Sequence, residues 1–326
     1  MRSHAGITAD GSGIEAACRE AADRIAGHVR RTPVECSHYL SSLSGARVQL
    51  KLENYQLTGS FKLRGALNCL LALSSERRSQ GIVAASSGNH GMAVACGAAR
   101  AGCPATVFVP ESAAPSKLAV IREYGAEVRL HGEDCVESEL AARSFASERG
   151  AFYLSPYNDE RVVAGQGTIG VELADQVGDV EAIFVALGGG GLISGTGGYL
   201  KAVGETRVVA CSPENSPVMH RSLEAGRILD IPSLPTLSDG SAGGVEPGSI
   251  TFDLCRRTID ESVLVAETQI RDAMRGILEH HHMLIEGAAG VAVAGFLASG
   301  RRWEGRDVVI VLCGANVDPE VLRTVL

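Results

Sequence analysis

Three short segments of this sequence carry residue types that could do chemistry. The first is a run of four glycines, Gly188, Gly189, Gly190 and Gly191, placed between an apolar stretch and a segment that can form a helix. Bare backbone N–H groups at a helix N-terminus hold anions, because the amides point outward and the helix dipole favours negative charge. The loop therefore reads as a phosphate site, although close packing alone can also demand glycines. Two familiar nucleotide motifs fail here. The dinucleotide fingerprint breaks at Ser194 when counted from Gly189, and the P-loop has no lysine before Thr196. Neither NAD nor ATP is supported.

The second segment runs Thr58-Gly59-Ser60-Phe61-Lys62-Leu63-Arg64-Gly65-Ala66. Ser60 is a suitable N-cap, which would put Lys62 in the first helical turn, where a cation is least welcome. Such an amine loses its proton more easily, and burial would push it the same way. A neutral amine is what Schiff-base chemistry requires. The third segment is Ser86-Ser87-Gly88-Asn89-His90-Gly91, between a strand and a helix. Exposed amides and two hydroxyls at a helix start can seat a carboxylate, though an ordinary capped turn would look similar.

The elements that must position these segments follow one rhythm. Strands are expected at Val48 to Glu53, Gly81 to Ser86, Ala105 to Val109, Ala126 to Leu130, Phe152 to Leu154, Ala182 to Leu187, Arg207 to Ala210 and Val308 to Leu312. Helices are expected at Asn89 to Arg100, Ser116 to Tyr124, near Val136 to Glu148, and near Leu192 to Val203. Short β-rich runs alternating with helices of ten or so residues imply parallel sheets with crossover helices, an α/β fold. Leu229 to Gly248, rich in Pro, Gly and Ser, reads as a long surface or active-site loop.

Composition narrows the class. The 326 residues are enough for two domains, and 45% hydrophobic with 21% charged residues is a globular balance. With 30 Lys+Arg against 38 Asp+Glu the formal charge is −8, and no basic stripe is present, so nucleic acid is not an expected partner. Met283 to Ala298 is the most apolar long stretch, but Glu286 interrupts it and it is too short to span a membrane. The polar stretch Met1 to Gly11 lacks a signal-peptide core, which leaves the cytoplasm as the expected location. Nine cysteines without a Cys-x-x-Cys pair fit a reducing compartment. The run His280-His281-His282 reads as a polar helix end, since no HExxH or nearby cysteine accompanies it.

In this order and spacing, Ser-Phe-Lys-x-Arg-Gly-Ala, Ser-Ser-Gly-Asn-His-Gly and Gly-Gly-Gly-Gly-Leu resemble the threonine/serine dehydratase branch of fold-type II pyridoxal-phosphate enzymes. The resemblance extends from Arg31-Thr32-Pro33 to Cys313-Gly314-Ala315-Asn316. It implies a two-domain architecture like that of the tryptophan synthase β chain, with the cofactor in the cleft. Residues 1–54 and 155–326 would form the large cofactor-binding domain, and residues 55–154 a small domain that closes over substrate. Lys62 would hold pyridoxal 5'-phosphate and then act as the base at the substrate Cα. Phe61 would pack near the ring, Asn89 would bond the ring hydroxyl, and Gly188 to Gly191 with Leu192 would take the phosphate. Ser86, Ser87, Gly88, Asn89, His90 and Gly240 would bind the substrate, with Ser87 also placed for proton transfer on the opposite face. Glu286 matches a position lining the ring, and Cys313 the partner of the pyridine nitrogen. A thiol there is a weak neutral donor, which favours elimination over transamination.

The implied reaction is dehydration of a small β-hydroxy amino acid to a keto acid and ammonia by a homodimer. Departures from the family matter too. Where relatives carry acidic cation ligands, this sequence reads Cys211-Ser212-Pro213-Glu214-Asn215-Ser216-Pro217-Val218, so no metal site is expected, with Glu214 the one acid that remains. The sequence ends 13 residues after Cys313, so a C-terminal regulatory domain and feedback by isoleucine are not expected. Ser238 to Gly248 is similar to the loop of the hydroxyectoine-utilisation dehydratases, which would make a hydroxylated diaminobutyrate the substrate. Competing readings are a cysteine-synthase-like replacement enzyme, a serine or aspartate racemase using Lys62 and Ser87 as two bases, and a catalytically silent binding protein.

Overall fold

The computed structural model describes residues 6–8 and 11–326, so most of the Met1–Gly11 stretch lies outside the described residues. Two sheets organise the chain. The larger joins β1 (Val34–Cys36), β2 (Arg47–Lys51), β7 (Ala182–Ala186), β8 (Arg207–Pro213), β9 (Glu261–Val265) and β10 (Asp307–Val311) in the order β1-β2-β10-β7-β8-β9. The smaller joins β3 (Ile82–Ala85), β4 (Ala105–Val109), β5 (Glu127–Leu130) and β6 (Phe152–Tyr153) in the order β5-β4-β3-β6. Every pairing is parallel except β1 with β2. The α/β class is as expected. β1 and β9 escaped the sequence reading because each is short or half-buried, with a weak pattern.

β7, β8 and β10 read as near-continuous apolar runs because helices cover both faces. The apolar stretch Met283 to Ala298 resolves into the helix Gly287–Ala298, whose residues from Gly287 to Phe296 are buried. A helix that is apolar all round belongs inside a core. Its small residues let it lie close to the sheet: a Cβ at Gly295 would stand 2.4 Å from Cys211 Sγ. Among the described residues, no helix is long and apolar enough to cross a membrane.

The Lys62–Ala72 helix packs against Asn89–Ala101 on one side and Glu160–Gln176 on the other. Leu63, Leu67 and Leu70 are fully buried on it, each contributing about 2 kcal/mol of apolar burial. The fully buried Arg64 clamps its first turn. The guanidinium donates to both oxygens of Glu53, at 2.8 Å each, and to both of Glu172, at 2.6 and 3.0 Å. Lys51 joins from β2, donating to Glu172 and to the Thr32 carbonyl. The motif's arginine therefore has a structural task, fixing where Lys62 begins.

One expectation fails. Ser60 does not cap this helix: Phe61 occupies the N-cap position without a side-chain cap, and Ser60 Oγ is buried with no hydrogen-bond partner. The helix start is set by docking instead, since Phe61 N–H donates to the Cys313 carbonyl and Ser60 bridges to Gly314. Lys62 still opens the helix. The histidine run does end a helix, Glu267–His281, with His282 in the left-handed region at φ 55°. Tyr39 stacks on His280, and His281 bonds Ser37.

Candidate active site

The site lies at the C-terminal ends of the parallel strands, where open α/β sheets place ligands. One cavity is lined by Phe61, Lys62, Gly188 to Gly191, Leu192, Gly240, Glu286 and Cys313, which the sequence singled out, and by Tyr157, Ala186, Ser241 and Ala288, which it did not.

The glycine loop links β7 to the helix Gly191–Val203. Thr251 Oγ1 donates to the Gly189 carbonyl at 2.6 Å and Cys255 Sγ to that of Gly190 at 3.8 Å, both from the Ile250–Thr258 helix. In a planar trans peptide the N–H points opposite to the C=O, so the amides of Gly190 and Gly191 face away from that helix. Gly190 has φ 87°, and a Cβ at Gly189 would come within 2.3 Å of the Tyr157 ring. Close packing at Gly189 and the left-handed backbone at Gly190 both require glycine here.

Lys62 donates from Nζ to the Pro156 carbonyl at 3.1 Å and lies 5.2 Å from the centre of the Phe61 ring. Burial pushes its pKa down to about 8, against the opposing pull of Cys313 and Glu286. Glu286 holds the N-cap position of the Gly287–Ala298 helix. Burial raises its pKa to about 7, although Asn89 Nδ2 donates to both its oxygens at 2.9 Å and Asn316 N–H donates at 3.1 Å. Asn89 Oδ1 in turn accepts from Asn316 Nδ2 at 2.7 Å. Asn89 is thus tied to Glu286 and Asn316, and a Cβ on Gly314 would strike the Glu286 carboxylate at 2.6 Å.

The Ser86–His90 turn follows β3 and opens the Asn89–Ala101 helix. Ser86 Oγ accepts from Gly88 N–H at 3.1 Å, and Ser87 is half-buried. The His90 ring turns inward and donates from Nε2 to the Leu154 carbonyl at 2.9 Å, and burial lowers its pKa to about 3. Its imidazole is therefore neutral and committed to the fold, which leaves its backbone N–H at the helix start. Ser212 is buried and donates to the Leu187 carbonyl, and Val218 is buried in the Val218–Ala225 helix.

The family model for pyridoxal-phosphate dependent enzymes matches residues 25–314. The chain belongs to that family. It is 41% identical to the L-threonine ammonia-lyase of Thermotoga maritima over 309 residues, 94% of this chain and 77% of that one. Among solved structures, maize serine racemase superposes with TM-score 0.90 at 33% identity, covering 95% of each chain. The processed form of threonine deaminase isoform 2 from Solanum lycopersicum gives 0.89 at 31% identity, covering 94% of this chain and 92% of that one. These relatives put the chain in the threonine dehydratase family of fold-type II enzymes, and the cofactor of that family is pyridoxal 5'-phosphate.

The residues present fit that group. A depressed amine can condense with an aldehyde, outward amides at a helix start can take a phosphate, and the buried hydroxyls of Thr58 and Ser60 near Lys62 have no partner within the protein. Tyr157 and Pro156 went unnoticed in the sequence, and Asn316 stood there only as the end of the matched stretch, with no role given to it. The signal that could have found the first two is their place directly after β6, at a strand's C-terminal end.

Proposed function

We propose that the protein removes water from a small β-hydroxy amino acid, with the resulting enamine hydrolysed to a keto acid and ammonia. Water lost in the first step is regained in the second, so the net change is release of ammonia. The observation that carries this reading is the sharing of one cavity by the Lys62 amine, the glycine cradle, Glu286 and Cys313.

When bound, pyridoxal 5'-phosphate withdraws electrons from the substrate Cα. Lys62 would hold the cofactor and, once displaced, take the α-proton on Nζ, a role for which a pKa near 8 is suited. The amides of Gly188 to Gly191 and Leu192 would hold the phosphate, and Phe61 would flank the ring. The start of the Asn89–Ala101 helix, with Ser86, Ser87, Gly88, Asn89 and the His90 amide, would seat the substrate carboxylate beside Gly240. Burial keeps the Cys313 thiol protonated, so it offers a ring nitrogen only a weak neutral donor. That setting favours loss of a β-substituent together with the α-proton.

Residues 55–154, which hold the smaller sheet, would close over substrate and exclude water. A cytoplasmic homodimer fits the nine free cysteines and the family. Substrates in this reading are threonine, serine or the hydroxylated diaminobutyrate to which the Ser238–Gly248 loop points. A second reading, racemisation with Lys62 and Ser87 as opposed bases, draws on the similarity to maize serine racemase.

The test is a panel of threonine, serine, 3-hydroxyaspartate and hydroxyectoine-derived amino acids, read as ammonia release with chiral analysis of unreacted substrate. Ammonia without inversion supports dehydration; inversion without ammonia supports the racemase.

A further inference from the structure

The segment Ser155-Pro156-Tyr157-Asn158 touches both halves of the cofactor site. The Pro156 carbonyl holds the Lys62 amine, the Tyr157 ring lies against Gly189, and the Cβ and backbone of Tyr157 lie against Gly191. What holds this segment comes from further away. Tyr157 Oη accepts from the Glu246 N–H at 2.9 Å, and Asn158 Nδ2 donates to Glu246 Oε2 at 2.8 Å. Arg143 donates from Nη2 to Glu246 Oε1 at 2.9 Å. It stands on the Cys135–Arg149 helix beside the smaller sheet, and Glu139 and the Tyr153 ring brace it there. Asn158 Oδ1 meanwhile accepts from Ile250 N–H, at the start of the helix whose Thr251 and Cys255 grip the glycine loop.

We propose that Glu246 is a positioning residue: clamped by Arg143 and Asn158, it holds Tyr157 against the glycine cradle and the Pro156 carbonyl against Lys62. It lies on the loop between the Val218–Ala225 and Ile250–Thr258 helices, and its carboxylate is the point at which the smaller-sheet unit, that loop and the 155–158 segment meet. A second ion pair, Lys117 with Asp239 at 3.3 Å, joins the same unit to the same loop, and neither of its residues lines the cradle. It serves as the internal control. The inference rests on the cofactor site proposed above.

The experiment titrates the apo chain with pyridoxal 5'-phosphate, reading Kd from absorbance, and follows amide exchange at Tyr157 and Asn158 in the same apo proteins. Glu246→Gln, Glu246→Ala and Arg143→Gln should each raise Kd by about fivefold, as expected for loss of a half-exposed ion pair that orders a segment. Exchange at Tyr157 and Asn158 should quicken. The double variant Arg143→Gln with Glu246→Gln should be no weaker than either single variant, because both break one clamp. Lys117→Gln should stay within about twofold of the unaltered protein. Arg143→Gln leaves Glu246 and its Asn158 bond in place, so it carries the test should Glu246→Ala not fold. A Kd unchanged in Arg143→Gln, additive losses in the double variant, or an equal loss in Lys117→Gln would each overturn the inference. If the unaltered chain takes up no cofactor, the function proposed above falls with it; if it does and the Glu246 variants match it, this inference falls alone.

Discussion

The thiol of Cys313 lies 3.9 Å from Glu286 Oε1 and donates toward it, which joins the end of β10 to the start of the Gly287–Ala298 helix at the floor of the site. Burial acts on both groups in the same sense, holding protons on a thiol and on a carboxyl. At pH 7 about half of the Glu286 carboxyls keep their proton, so the floor is less anionic than its composition suggests, and its protonation sets the first two predictions.

The Glu286 carboxyl titrates near its ordinary 4.5 when unfolded and near 7 when folded. Between these values the folded chain holds the extra proton, so this group's contribution to stability falls as pH rises through that window. Glu286→Gln has no such loss. Its unfolding free energy, measured with urea at pH 5 and pH 8, should rise relative to the unaltered chain, by on the order of 2–3 kcal/mol at most. An unchanged difference would refute the raised carboxyl.

Cys313 should resist alkylation. The thiolate is the nucleophile, and burial keeps this thiol protonated while Cys36 and Cys135 are exposed. Mass spectrometry of the folded chain treated with iodoacetamide at pH 8 should show label at Cys36, and at Cys313 only after unfolding. Early labelling of Cys313 would contradict its placement.

Lys62 sets a pH dependence of opposite sign. Its amine loses a proton near 8 in the folded chain and near 10.5 when unfolded, so stability gains from this group as pH climbs between the two. Cofactor uptake by the apo chain should follow the neutral amine, half-maximal near pH 8. Lys62→Ala should form no borohydride-reducible link to the cofactor at any pH. Uptake that keeps rising toward pH 10.5 would show an unperturbed lysine.

Arg64→Met should destabilise the chain by about 3–5 kcal/mol, because it strands the buried Glu53 carboxylate and loosens Glu172. Arg64→Lys should recover only part, since an ammonium cannot replace a planar fork bonded to two carboxylates. Urea unfolding measures both. Cofactor uptake should fall in parallel with the folded fraction, since the arginine acts by fixing the helix that Lys62 opens.

Several features were legible in the sequence. Alternating apolar and helical runs gave the parallel sheets, and the four glycines after β7 stood out because backbone freedom is written in residue type. Lys62 could be placed at a helix start from its neighbours. The same local logic misled at Ser60, where a hydroxyl in a capping position is buried, and the Cys313–Gly314 backbone sets the helix start instead. Tertiary structure alone decided what the charges do. Glu53, Lys51, Arg64 and Glu172 meet only when β2, the Lys62–Ala72 helix and the Glu160–Gln176 helix pack. Glu286 meets Asn89, and Glu246 meets Arg143, across separations of 197 and 103 residues. Propensity and periodicity act over a few residues, whereas desolvation and pairing depend on which distant chains close around a group, so the protonation of this site came from the fold.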